Sequence, residues 1–98
     1  MEKLRQEYLI SYDVEDNKAR SRLYKELAGY GLRSVQKSVF WGHLSMAELQ
    51  AVKRELQKYL DAHDKAFITH SSFNGRGQSY FIGHDEEDFK DWKENHVI

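Results

Sequence analysis

Few side chains in this sequence can do chemistry, and the most suggestive of them gather in its first half. Asp13 follows Tyr12 at the end of the apolar run Tyr8-Leu9-Ile10-Ser11-Tyr12. A carboxylate where a strand gives way to a loop is well placed for function, because loops on a rigid scaffold carry much of a protein's chemistry. The bland role for the same residue is to cap the turn that follows, which Asp does readily. Alone it is not a metal site: Mg²⁺ takes near-octahedral oxygen coordination from one or two carboxylates, waters and substrate phosphates. Two copies of Asp13 related by a two-fold axis would supply the pair. Mg²⁺ or another divalent cation held there would lower the pKa of its bound water and steady a phosphate under attack. The neighbouring Glu15 and Asp16 fit solvated turn acids better.

The second candidate is cationic. Lys18, Arg20, Arg22, Lys25, Arg33 and Lys37 stand against Glu26 alone over residues 18–37, a local balance of +5 in a chain of net charge −1. Neutralising phosphates releases counterions and gives sequence-independent, salt-sensitive binding to duplex DNA or RNA. Arg20 and Arg22 suit bidentate phosphate contacts, and Arg33 and Lys37 extend the track. Taken singly, each is equally an exposed charge or half of a weak surface ion pair. The end of the chain has the opposite sign: residues 84–94 carry a balance of −4. Its Phe89, Trp92, Val97 and Ile98 offer apolar anchors for docking in an acidic frame.

Other constellations are missing. His43, His63, His70, His84 and His96 show no metal-ligand spacing, and His70 is expected to be partly buried in its strand. Gly75 and Gly77 make a turn without the lysine and strand–loop–helix setting of a phosphate loop. The serines have no triad setting. Phe40 and Trp41 suit a core or a dimer contact better than base stacking.

The elements that must position these groups follow from periodicity. Residues 7–13 read as a central strand, apolar on both faces. Asp16 or Asn17 caps a helix over 18–30, in which Ala19, Leu23, Leu27 and Tyr30 form the apolar stripe and Lys18, Arg22 and Lys25 fall on another face. Gly31 suits its C-terminal cap. Residues 32–44 are extended, as one long strand or two short ones. Ser45 and Glu48 form a capping box for a second helix, with Leu49, Val52, Leu56, Tyr59 and Leu60 inward. Residues 65–71 and 78–83 read as further strands, separated by the turn Asn74-Gly75-Arg76-Gly77. If the long run splits, the order is βαββαβ, an α+β ferredoxin-like pattern, with an additional C-terminal strand. Such a strand is a liability unless it is paired, and crossing to a partner's sheet would pair it.

At 98 residues, 40% hydrophobic and 13% aromatic, the chain suits one small packed domain rather than disorder. Its division is expected at 1–84 for the ferredoxin-like domain and 85–98 for an acidic tail. A domain this small gains from a partner, so a homodimer is expected. The absence of cysteine removes disulfide and thiolate chemistry. No run approaches the roughly 20 apolar residues that span a bilayer, so a cytoplasmic protein with no membrane partner is expected.

Taken together, the strand through Tyr12-Asp13-Val14, the segment Asp16-Asn17-Lys18-Ala19-Arg20, then Tyr30-Gly31 and Val35-Gln36-Lys37-Ser38-Val39-Phe40 resemble the CRISPR-associated Cas-two family over roughly residues 7–83. The resemblance implies a dimeric ferredoxin-like protein in spacer acquisition. It would bridge dimers of the CRISPR integrase, the larger adaptation protein, and hold duplex nucleic acid. It also implies divalent-metal endonuclease activity on RNA or DNA, with the conserved acid at Asp13, its preceding tyrosine at Tyr12, the first-helix arginines at Arg20 and Arg22, and the family aromatic at Phe40. The family's basic residue before the apolar–Gln pair falls on Ser34 here, with Arg33 one place earlier, and a one-residue shift in a strand turns a side chain to the opposite face. An RNA-cleaving toxin or RNA-binding module on the same fold is the competing reading, since fold alone does not decide function.

Overall fold

A computed structural model describes residues 4–73 and 79–89. Strand β1, Arg5–Asp13, alternates cleanly: Tyr8, Ile10 and Tyr12 are buried on one face, while Glu7, Leu9 and Ser11 turn to the other. Helix α1, Asn17–Gly29, starts where the Asp16 carboxylate accepts the Ala19 amide at 2.8 Å. It stops at Tyr30, after which Gly31 takes φ 83°, the left-handed conformation a glycine adopts cheaply.

The extended run splits into two strands, β2 (Arg33–Gln36) and β3 (Val39–Ser45). The turn between them places Ser38 at φ 62°, a conformation uncommon outside glycine. Helix α2, Met46–Tyr59, opens on the expected capping box: the Glu48 amide donates to Ser45 Oγ at 3.2 Å and the Ser45 amide to Glu48 Oε1 at 2.8 Å. Strand β4 is Lys65–His70. The four strands form one antiparallel sheet in the order β2-β3-β1-β4, which with both helices on one face is the split βαβ arrangement of a ferredoxin-like fold.

The core lies between sheet and helices. Tyr8, Ile10 and Tyr12 from β1 and Phe40 and Leu44 from β3 meet Leu23 and Leu27 of α1 and Val52 and Leu56 of α2. Burying a side chain of this size contributes about 1.5–3 kcal/mol, which is what holds two short amphipathic helices on the sheet.

The opposite face is covered in part by the chain itself, which leaves Phe67 of β4 56% exposed. Trp41, with no exposed surface, packs edge-on against Phe89 with ring centroids 5.4 Å apart. Phe73 and Phe81 complete the cluster around Phe89. Glu7 fastens it: its Oε2 accepts from Trp41 Nε1 at 2.9 Å, Ser71 Oγ at 2.7 Å and the Phe73 amide at 2.9 Å. Burial raises the pKa of this carboxyl, but the three donors and the charge of nearby His43 outweigh it and leave the pKa below its ordinary value.

Three expectations change. Residues 79–83 have no ladder partner among the described residues and form no strand; Tyr80 and Ile82 remain 87% and 93% exposed. A strand exists only by pairing, and the two edges of this sheet belong to β2 and β4. Gln78, the first residue of that expected strand, lies outside the described residues. Phe89 is buried at the short 3₁₀ turn Glu86–Phe89 and is not a free docking anchor; Trp92, Val97 and Ile98 lie outside the described residues. His70 is exposed because β4 is an edge strand, and its ring stacks on Tyr8 at 4.8 Å.

Candidate nucleic-acid interface

The end of β1, the first half of α1 and the β2–β3 turn enclose an open groove of about 790 Å³ lined by Tyr12, Asp13, Arg20, Tyr24, Lys25 and Lys37, among others. Asp13 is exposed, opposite Lys65 in the β1–β4 register, and its carboxylate accepts no hydrogen bond among the described residues. The capping role open to Asp13 in the sequence falls instead to Asp16.

Arg20 has a different employment. Its Nη1 donates to the Val14 carbonyl at 2.8 Å and reaches the Glu15 carbonyl at 3.4 Å, while Nη2 meets Asn17 Oδ1. The guanidinium therefore ties the loop after Asp13 to the first turn of α1. Asp64 holds the same loop from the other side, accepting the Glu15 amide at 3.1 Å and the Asp61 amide at 2.9 Å. Those two backbone donors, the Asp61 amide first, hold the Asp64 carboxyl below its ordinary pKa.

Lys18, Arg22, Lys25 and Lys37 are exposed, and none has an ion-pair partner among the described residues. Lys25 from α1 and Lys37 from the β2–β3 turn both line the groove. Lys18 and Arg22, at i and i+4 along α1, share the adjoining helix surface. Arg33 lies elsewhere. It pairs in register with Trp41, and the bulge in β2 falls after it, between Ser34 and Gln36. Its side chain thus takes the Trp41 face of the sheet, where its charge bears on Asp88.

Beneath the groove the aromatics are stacked. Phe40 has no exposed surface, and its ring lies 6.2 Å from Tyr12 and 5.1 Å, edge-on, from Tyr24. Burial pushes the Tyr12 phenol pKa up, with Tyr24 adding to it, while a hydrogen bond with Ser38 and the charge of Arg20 pull the other way. The phenol is therefore a neutral hydrogen-bonding group. The Tyr12 amide donates to the Ser38 carbonyl at 3.1 Å, so the strained turn is pinned beside the end of β1.

The groove thus gathers Tyr12, Asp13, Arg20, Lys25 and Lys37, borders Lys18 and Arg22, rests on Phe40 and leaves out Arg33. Sequence reasoning misses Tyr24, Ser38 and Asp64. A usable signal exists only for Tyr24, an aromatic off the apolar stripe and next to Lys25. Among the described residues no group of three or more His, Asp or Glu side chains could hold a metal ion. One chain offers a single carboxylate, which fits Mg²⁺ only where waters, phosphates or a second copy complete the shell.

Among the described residues no helix is long and apolar enough to cross a membrane. Residues 6–76 match the family model described as CRISPR associated protein Cas2. The chain is 53% identical over 91 residues to CRISPR-associated endoribonuclease Cas2 1 of Francisella tularensis subsp. novicida (strain U112), covering 93% of this chain and 94% of that protein. It is 37% identical over 62 residues to the protein of the same name from Archaeoglobus fulgidus, covering 62% of this chain and 66% of the other. A solved Cas2 structure superposes with a TM-score of 0.66 at 26% identity, over 89% of this chain and 97% of the other. Hypothetical protein TT1823 of Thermus thermophilus gives 0.68 at 27%, over 83% and 94%. The match over most of the chain, in sequence and in fold, makes this protein a member of the CRISPR-associated Cas2 family.

Proposed function

We propose that this protein acts in CRISPR adaptation as a homodimer that holds duplex nucleic acid for the integrase through the cations of α1 and the β2–β3 turn. The observation that carries the reading is the groove itself. Lys25 from α1 and Lys37 from the β2–β3 turn line it, and Lys18 and Arg22 lie on the adjoining surface of α1, all four without ion-pair partners among the described residues. Two copies would double the cationic track, and counterion release makes affinity rise steeply with the number of phosphates contacted. Support for the second copy comes from the exposed Tyr80 and Ile82, which leave an apolar run next to a sheet with free edges.

Phosphodiester cleavage is the second reading, favoured by the relatives' names and by the Asp13 carboxylate, which lines the groove and accepts no hydrogen bond among the described residues. Asp13 from each of two copies would hold a divalent cation, which supplies an acidified water and charge neutralisation at phosphate. Arg20 and Asp64 keep the loop after Asp13 in place, and Lys25 and Lys37 would orient the polynucleotide.

A pull-down and integration assay with the cognate integrase separates these roles. Asp13→Ala is expected to retain integrase binding, duplex binding and integration while losing Mg²⁺-dependent cleavage. Failure of wild type to bind duplex at low salt, or binding indifferent to salt, would overturn the first role. Cleavage undiminished in a highly purified Asp13→Ala protein would overturn the second.

A further inference from the structure

We infer that Tyr24 is a stacking platform for an unpaired base, so that the groove beside Asp13 takes a single-stranded nucleotide as well as bordering a duplex track. The inference rests on the nucleic-acid reading above and adds the strandedness of what the groove accepts. Tyr24 is 47% exposed on a helix whose apolar stripe it does not join. Its ring nevertheless has a buried support: it meets the fully buried Phe40 ring in a T-shaped contact with centroids 5.1 Å apart. A half-exposed aromatic resting on a buried ring is what a base needs, since every base has a π-face and stacking tolerates any sequence.

The surroundings fit the rest of a nucleotide. Lys25 follows Tyr24 directly, and Lys37 lines the groove from the β2–β3 turn, so phosphates on either side of a stacked base would meet cations. Ser21, Ser34 and Ser38 also line it and offer hydroxyls that donate and accept, as the edge of an unpaired base or a sugar hydroxyl requires. At about 790 Å³ the groove is of the size that admits a small organic ligand. A base inside a duplex cannot reach Tyr24 without leaving its own stack, so the platform discriminates against the duplex interior.

The test uses the full-length protein and short oligonucleotides, RNA and DNA, carrying one 2-aminopurine. One set is single-stranded and the other is annealed as blunt duplex. Tyr24→Leu keeps an apolar side chain against Phe40 but has no ring, and Tyr24→Phe keeps the ring. Single-strand affinity should fall by about 5- to 100-fold in Tyr24→Leu and stay near wild type in Tyr24→Phe, with the duplex loss at least fivefold smaller. Wild type and Tyr24→Phe should quench single-stranded 2-aminopurine, and Tyr24→Leu should not. Equal losses for single strand and duplex, or quenching retained in Tyr24→Leu, would overturn the inference while leaving duplex binding standing. Wild type that binds duplex but no single strand would do the same. Wild type that binds neither at low salt would remove the underlying reading as well.

Discussion

Arg20 and Arg22 stand two residues apart on one helix, and the structure assigns them different work. Replacing Arg20 with alanine deletes the 2.8 Å bond to the Val14 carbonyl and the contact with Asn17. A hydrogen bond from a charged donor is worth about 1.5–3 kcal/mol, and partial exposure of this one reduces the expected loss to about 1–2 kcal/mol. For a domain of this length that lowers the melting temperature by about 5–10 °C. Arg22→Ala removes an exposed side chain with no partner among the described residues, so stability should change by less than about 0.5 kcal/mol. Duplex binding should rank the two in reverse. Each phosphate contact contributes about 0.9 to the slope of log affinity against log salt, so Arg22→Ala in a two-fold dimer should flatten the slope by about 1.8. Arg20→Ala should flatten it less, because part of that guanidinium is spent on the loop. Melting at fixed protein concentration and fluorescence anisotropy across a salt series read both quantities. Arg20→Ala melting within about 1 °C of wild type, with a slope change equal to that of Arg22→Ala, would show that the loop tether is idle and the reasoning wrong.

Two further predictions concern carboxylates. Glu7 has a pKa below its ordinary value in the fold, so its contribution is present above the unfolded value near ~4.3 and is lost as pH falls through the lower folded one. Glu7→Gln should therefore cost about 1–3 kcal/mol at neutral pH, and urea titrations should show the gap to wild type closing below about pH 4; a gap that does not vary with pH would refute the assignment. Asp64→Asn should leave global melting nearly unchanged but speed hydrogen exchange at the Glu15 and Asp61 amides, which its carboxylate accepts. Unaltered exchange at both amides would show that Asp64 does not hold the loop.

Legibility in the sequence follows the range of the interaction concerned. The capping box at Ser45 and Glu48 and the Asp16 cap are readable because donor and acceptor lie three residues apart. β1 is readable as a strand from its composition, and the structure puts β3 and β4 on either side of it, although of Glu7, Leu9 and Ser11 on its second face only Leu9 is apolar. The division of residues 32–44 is not readable: Lys37-Ser38 lacks the glycine or asparagine that usually marks a left-handed turn, and Ser38 adopts it because the Tyr12 amide meets its carbonyl from another strand. The same limit separates Arg20 from Arg22. Helical spacing places both outside the apolar stripe, but only the returning loop shows which guanidinium is occupied. Residues 78–83 have a strand's composition, yet composition cannot say whether a partner exists, and the described part finds none in this chain.

The two faces of the sheet can then be perturbed separately, although the same strands build both. Along β1, Tyr8, Ile10 and Tyr12 serve the helix side and the floor of the groove, while Glu7 serves the Trp41 side. Along β3, Phe40 supports Tyr12 and Tyr24, and the next residue, Trp41, packs on Phe89. Adjacent side chains in a strand point to opposite faces and share only backbone. Loss of the Glu7 acceptor should therefore loosen residues 71–73 and the Phe89 cluster without moving Lys25, Lys37 or Asp13. Filling the groove should in turn leave the Trp41 face undisturbed. A half-buried carboxylate that takes three donors is an expensive way to fasten a chain end unless that end must stay in place. In this fold it holds residues 71–73 to the sheet beside the packing of Trp41 on Phe89.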